Sequence, residues 1–319
     1  MPRRFRRRRD AAFAASALVV LPVATAAAEA PPACRELVFA DVGWTDIAAT
    51  TATTALVLEG LGYAVETKTL SVPVTYRSLA NGDVDVFLGN WMPTMKADIT
   101  PYREAGEVEV VRANLEGAKY TLAVPSYLAE PGLTSFRDIA DFERELDGEI
   151  FGIEPGNDGN RLIREMIEND TFGLAGFELV ESSEQGMLAE VRRAVEDAEP
   201  IVFLGWEPHP MNAEFDMTYL AGGDDIFGPN YGGATVYTNT RAGLTDDCPN
   251  LGAFLDNLVF SLAMENEIMA AILQDGETAE AAAEAWLTAN PGVLDGWLAG
   301  VETVDGEPGL AAVRAHLEL

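Results

Sequence analysis

The chain has 319 residues, 21 Lys+Arg against 52 Asp+Glu for a formal net charge of −31, and 48% hydrophobic residues. So large an apolar share offsets the chain entropy of folding, which excludes disorder, and the length allows one large or two modest domains. A surface this acidic is repelled by phosphate backbones and anionic headgroups, which argues against nucleic acid and membrane surfaces as partners.

The charge is uneven along the chain. Six Arg lie within residues 1–10, followed by the apolar run 11–28 and the small-residue site Ala26-Ala27-Ala28 before Glu29. A basic n-region, a short h-region and an A-x-A site make up a secretory signal. Residues 1–28 are therefore expected to be a signal peptide cleaved after Ala28, leaving a periplasmic protein. A membrane anchor is the rival reading, but the run is Ala-rich, is broken by Pro22 and barely reaches a spanning length. Cleavage would remove six Arg and one Asp, leaving 15 basic against 51 acidic side chains. Export also bears on the two cysteines, Cys34 and Cys248. An oxidising compartment favours their pairing as a structural staple. The rival here is a lipid-modified Cys34, which Pro31-Pro32-Ala33 introduces poorly and which leaves Cys248 without a partner.

From residue 37 the pattern is strand, polar or Gly-rich turn, then helix. Residues 37–42 form a short apolar run that stops at Gly43-Trp44-Thr45-Asp46, and 47–61 reads as a helix with Thr45 or Asp46 as its N-cap. Residues 63–70 are β-rich. Residues 73–80 read as a helix with Pro in the first turn, closed by Asn81-Gly82-Asp83 before a buried-type strand over 84–88. The same grammar resumes after 120–125: a strand over 149–154, the turn Pro155-Gly156-Asn157-Asp158-Gly159, a helix over 160–169, a strand over 177–181, a helix over 184–198 and a strand over 201–204. Residues 236–238 read as a further short strand. Beyond Pro249 the segments 251–264, 267–273, 278–289 and 310–317 carry apolar residues at helical spacing. The plan is two α/β units, each with a mostly parallel sheet, followed by a helical tail.

An internal echo sharpens it. Val86-Phe87-Leu88-Gly89-Asn90-Trp91-Met92-Pro93 and Val202-Phe203-Leu204-Gly205-Trp206-Glu207-Pro208 share a strand, a Gly, a Trp and a Pro. Each places a Trp just past the carboxyl end of a buried strand, where open α/β sheets bind ligands, and Trp44 follows the first strand in the same way. Trp286 and Trp297, in the helical tail, read as core.

Enzyme chemistry finds little support. There is no G-x-S-x-G elbow, no phosphate-binding G-x-x-x-x-G-K-[ST] loop and no dinucleotide G-x-G-x-x-G, and His209 and His316 are too few for a His-based zinc site. His209, between Pro208 and Pro210, reads as structural. Paired carboxylates carry no information among 52 acids. The aromatic residues say more: Trp44, Trp91 and Trp206 at strand ends, with Tyr120 at a domain crossing, are placed to line one pocket, unless they are ordinary core or lid residues. Aromatic faces attract a soft cation such as a quaternary ammonium, each contributing about 1 kcal/mol when exposed and 2 or more when desolvated. Asp46, two residues after Trp44, would add a full charge.

Together the turns Gly43-Trp44-Thr45-Asp46, Gly89-Asn90-Trp91-Met92-Pro93, Pro155-Gly156-Asn157-Asp158-Gly159 and Gly205-Trp206-Glu207-Pro208 resemble the periplasmic quaternary-ammonium substrate-binding proteins of ABC transporters, in particular the choline-binding members from alphaproteobacteria. The resemblance covers the mature chain. It implies a two-lobed periplasmic binding protein of type II-like fold, with ligand in the interlobe cleft. Lobe I is expected over 34–119 plus 231–319 and lobe II over 120–230. It further implies a monomeric, non-enzymatic receptor without cofactor or metal, delivering its ligand to an ABC transporter permease. In it, Trp44, Trp91, Tyr120 and Trp206 would box the trimethylammonium group, Asp46 would face the cation, and Asn157 would hydrogen-bond the alcohol. Glycine betaine carries a carboxylate that calls for donors, whereas Asp46 favours a ligand of net positive charge, so choline is the expected ligand and acetylcholine a weaker guest. A betaine or carnitine receptor is the alternative of the same class, and a secreted choline-ester hydrolase the alternative of another.

Overall fold

The structure, a computed structural model, describes residues 30–319. The expected signal peptide lies outside the described residues. Among these residues no helix is long and apolar enough to cross a membrane.

Nine strands form one curled sheet: β1 (Glu36–Asp41), β2 (Ala64–Thr69), β3 (Val86–Met92), β4 (Val108–Pro125), β5 (Glu149–Phe151), β6 (Glu178–Val180), β7 (Phe203–Glu207), β8 (Met217–Tyr219) and β9 (Gly233–Arg241). The spatial order is β2-β1-β3-β9-β4-β7-β5-β6, with β8 against β4. Two parallel triplets stand at the ends, β2-β1-β3 and β6-β5-β7, each with its first strand between the other two. Between them run β9 and β4, antiparallel to each other and to the triplets' inner strands. The expected mostly parallel lobes are thus present, joined into one sheet by an antiparallel pair.

β4 is much longer than the expected strand at 120–125. It pairs with β9 from Val108 to Lys119 and with β7 from Lys119 to Ala123, so one strand belongs to both halves. Three register shifts against β9 interrupt the alternation by which a strand is recognised, and Gly117 takes a left-handed φ of 80° at the last of them.

Helices α1 (Thr45–Gly60), α2 (Val72–Asn81) and α3 (Lys96–Glu104) follow β1, β2 and β3, while α4 (Asp158–Glu168) and α5 (Glu184–Asp197) follow β5 and β6. α1 lies between the sheet and the C-terminal helices Leu262–Leu273, Ala279–Ala289 and Gly309–His316. This is why its buried face includes Thr50, Thr53 and Thr54, whose hydroxyls are satisfied by the carbonyls of Asp46, Ala49 and Thr50. At Gly89 a β-carbon would sit 2.6 Å from Ile47 Cδ1, so glycine lets α1 lie close on β3.

Several expectations need correction. The N-cap of α1 is Trp44, whose side chain caps nothing; Thr45 and Asp46 are already helical. The strands bearing Trp91 and Trp206 continue through both indoles, because pairing with β9 and with β4 extends them. The helix expected over 251–264 ends at Asn257, and the next begins after Ser261, whose hydroxyl accepts the Met264 N–H. Between them the Phe260 N–H bonds Asn114 O, and Val259 O accepts the Trp297 indole N–H. Trp297 is core, but Trp286 is only half-buried, with its N–H on Glu267.

Cys34 and Cys248 form a disulfide with Cα atoms 5.7 Å apart. It joins the entry of β1 to the helix Pro249–Asn257 across 214 residues of chain. Replacing both cysteines by serine is expected to lower unfolding free energy by about 4–5 kcal/mol through the freed denatured chain, measured by chemical denaturation; a loss under about 1 kcal/mol would count against the loop-entropy account.

Candidate functional site

Because β1 lies between β2 and β3, and β5 between β6 and β7, each half has a topological switch point, and connections leaving its carboxyl edge open a crevice there. Trp44 and Asp46 follow β1 and Trp91 ends β3. Asn157 follows β5 and Trp206 ends β7. Tyr120 lies on β4 directly opposite Trp206. All six side chains singled out in the sequence meet, with Ile153, around one small cavity.

Each aromatic ring is held by a specific partner. Trp44 donates its indole N–H to Glu154 Oε1 at 2.7 Å, and Trp91 donates to Asp46 Oδ2 at 3.2 Å. The Tyr120 hydroxyl donates to Asn157 Oδ1 at 2.8 Å, and its ring meets Trp91, Trp206 and Phe227 edge-on at 6.1, 6.3 and 6.0 Å. Trp206 meets the His209 ring at 4.9 Å. Asn157 is the N-cap of α4, and its Oδ1 also accepts the Asn160 N–H at 3.0 Å. Two donors therefore occupy the amide oxygen and leave the amide NH₂ as the polar group it can offer a ligand.

Electrostatically the cavity lacks positive charge. Its lining includes no Lys or Arg among the described residues. Asp46 is 2% exposed, and its carboxyl is pushed up to about 8 by burial first and by repulsion from Glu184 second, against the Trp91 and Ile47 N–H bonds. Burial likewise lifts Glu154 to about 7 and Asp158 to about 6. Among the described residues no three His, Cys, Asp or Glu side chains are placed to hold a metal ion. The arrangement suits a small organic cation, which a ring of aromatic faces attracts without needing its hydrogen bonds.

Ile153, Glu154, Glu184, His209 and Phe227 were not picked out from the sequence as parts of a site. Phe227 and His209 back Tyr120 and Trp206. Glu154 and Glu184 are two of 52 acids, and their partners Trp44 and Thr45 stand 110 and 139 residues away. The one local signal is position: each lies within a few residues of a helix start on the carboxyl edge of the sheet.

The family model for the substrate binding domain of ABC-type glycine betaine transport systems matches residues 35–289, and the chain belongs to that family. An ABC-transporter choline binding protein in complex with choline is 66% identical, with a TM-score of 0.89 over 90% of this chain and 99% of that one. An ABC-transporter choline binding protein in an unliganded semi-closed conformation is also 66% identical, with a TM-score of 0.83 over 90% and 100%. Lactococcal OpuAC, closed and complexed with glycine betaine, is 27% identical, with a TM-score of 0.74 over 82% and 99%. The family and the two-lobed α/β fold expected from the four turns are thereby borne out.

Close packing around Tyr120 sets one test. A β-carbon at Gly159 would overlap the Tyr120 hydroxyl. Gly159→Ala is expected to displace that hydroxyl from Asn157 and cost about 1–3 kcal/mol, read by thermal unfolding; an unchanged midpoint would show that the tyrosine has room to move.

Proposed function

We propose that the protein is an extracytoplasmic receptor that binds choline between its lobes and hands it to the permease of an ABC transporter. The observation that carries this reading is the buried Asp46 carboxylate among four aromatic rings, with no basic side chain lining the cavity among the described residues. A choline cation supplies the missing charge, and its trimethylammonium group fills a box of Trp44, Trp91, Tyr120 and Trp206. Four desolvated rings at about 2 kcal/mol each reach the roughly −8 kcal/mol of micromolar binding before Asp46 is counted. The Asn157 amide donates to the hydroxyl. Acetylcholine is a weaker guest, since its acetyl group has to share the same small cavity.

The same reading places the protein outside the cytoplasm as a monomer, with residues 1–28 removed after Ala28. It divides the chain into lobe I (34–119 plus 231–319) and lobe II (120–230), and the change of partner by β4 at Lys119 supports that division. The role is binding without chemistry. His209, the buried histidine nearest the cavity, accepts the Met211 N–H at Nδ1 and faces Glu184 with Nε2, so neither nitrogen is free to activate a nucleophile.

Glycine betaine is the second reading, favoured by the family's description and by the betaine-bound lactococcal relative. Tryptophan-fluorescence titration separates the two. Choline is expected to bind at least tenfold more tightly than betaine, and the reverse order would overturn the assignment. Asp46→Asn should weaken choline on the order of a hundredfold and betaine far less.

Choline favours ionised Asp46, so binding expels a proton from whatever fraction is protonated. Affinity should therefore fall as pH is lowered from 8 to 5. The Asp46→Asn profile should be shallower, keeping only the weaker dependence from Glu154 and Asp158; a wild-type profile no steeper than the variant's would remove Asp46 as the counter-ion.

A further inference from the structure

Helix α1 begins without a cap of its own. Trp44 is extended and offers no side-chain acceptor, although the first turn of a helix leaves N–H groups in need of one. The acceptor comes from the other half of the molecule. Glu184, the first residue of α5, takes the Thr45 N–H on Oε2 at 2.9 Å and the Thr45 hydroxyl on Oε1 at 2.5 Å. Its own helix is capped separately by the Ser183 hydroxyl, so the Glu184 carboxylate is free to serve α1.

The contact continues into the cavity wall on both sides. His209 Nδ1 accepts the Met211 N–H at 2.9 Å, which leaves the proton on Nε2, 3.3 Å from Glu184 Oε1. The His209 ring lies against Trp206. At the other end Thr45 stands between Trp44 and Asp46. Hydrogen bonds therefore run from the turn carrying Trp44 and Asp46 through Glu184 to His209, whose ring in turn packs on Trp206.

Other bonds cross between the halves, and they differ in character. The Arg161–Asp98 pair, 3.1 Å apart, is 29% and 14% exposed, so water and salt weaken it. Glu184 is 1% exposed and has three partners, Thr45 N–H, Thr45 hydroxyl and His209. Removing α1 from Glu184 takes away two of its donors at once.

We propose that Glu184 is a positioning residue that locks the closed cleft: it caps α1 across the cleft only while the lobes are together, and through His209 it fixes Trp206 against Trp44 and Asp46. The proposal rests on the reading of this cavity as the choline site. A lock formed after closure holds ligand in without affecting its entry. A group important only for folding would not separate those two rates.

Stopped-flow tryptophan fluorescence with choline tests it on wild type, Glu184→Ala and Glu184→Gln. Glu184→Ala is expected to raise the dissociation rate ten- to hundredfold with the association rate within about threefold. Glu184→Gln keeps an acceptor for the Thr45 N–H and should fall between it and wild type. Should the alanine variant fail to fold, as judged by circular dichroism, the glutamine variant carries the comparison. Dissociation within twofold of wild type in the folded variants, or equal changes in both rates, would overturn the lock. If wild type itself gives no response to choline, the ligand assignment has failed and the lock is judged without ligand by small-angle scattering. There a larger radius of gyration for the variant than for wild type supports it, and equal radii overturn it.

Discussion

A carboxylate taken out of water, with no protein cation beside it among the described residues, is the constraint on which this site turns. Asp46 sits in the first turn of α1, where the positive end of the helix dipole and the Ile47 N–H favour its charge, and Trp91 adds one further donor. These do not balance its burial, and Glu184 adds repulsion. A buried ion that is neither paired nor fully hydrogen-bonded is costly, typically several kcal/mol. On the reading proposed above, the guest cation settles that imbalance, so the same deficit that makes the empty closed cleft unfavourable makes the filled one selective. The aromatic rings then set the shape and softness of the accepted cation, and the carboxylate sets its charge.

The rest of the architecture brings that deficit together and lets it be relieved. Two parallel triplets offer two carboxyl edges, and β4 and β9 turn those edges toward each other. Tyr120 is on the crossing strand itself, opposite Trp206 in register, so it belongs to both walls. Just before it, Gly117 holds a left-handed backbone at a register shift, and beside it Gly232, with a φ of 75°, leads into β9 where a β-carbon would collide with Tyr120 O. The points at which β4 is least regular thus adjoin the residue shared by both halves. Cross-cleft bonds from Glu154 and Glu184 then fasten the Trp44–Thr45 turn from the opposite side.

How much of this was legible in the sequence follows from how far each interaction reaches. The site aromatics were legible because a strand, a Gly, a Trp and a Pro recur in order, and because strand ends in α/β sheets face ligands; both signals are local. Asp46 came from the turn that carries Trp44, whereas Asn157 came only from the resemblance of its Gly-Asn-Asp turn to the family's. The N-cap of α1 was misplaced because local signals mislead there: Thr45 and Asp46 are good capping residues, yet the cap is supplied by Glu184 from 139 residues away, which frees them to be helical. β4 is longer than its sequence pattern suggests because its bulges break the alternation that marks a strand. The break at Ser261 was hidden by an apolar run that looks helical, while Asn114 and Trp297 take the backbone groups of that break into tertiary bonds.

Selectivity between quaternary ammonium compounds comes down to what the far end of the ligand meets. An aromatic box treats the trimethylammonium groups of choline and betaine alike, so it does not discriminate between them. Discrimination needs a difference at the other end, which on the proposed reading faces Asn157. Its oxygen is already committed to Tyr120 and Asn160, and part of its amide hydrogen-bonding capacity is drawn toward Asp158 Oδ1 at 3.3 Å. One amide is adequate for a neutral hydroxyl. It is a poor match for a carboxylate, which seeks several donors and would stand in a cavity lined by Asp46 with Asp158 and Glu154 close by. On the reading proposed above, the preference for choline rests both on the attraction of Asp46 for a net positive charge and on the repulsion an anionic group would meet, which is how a site built from shared parts can be specific.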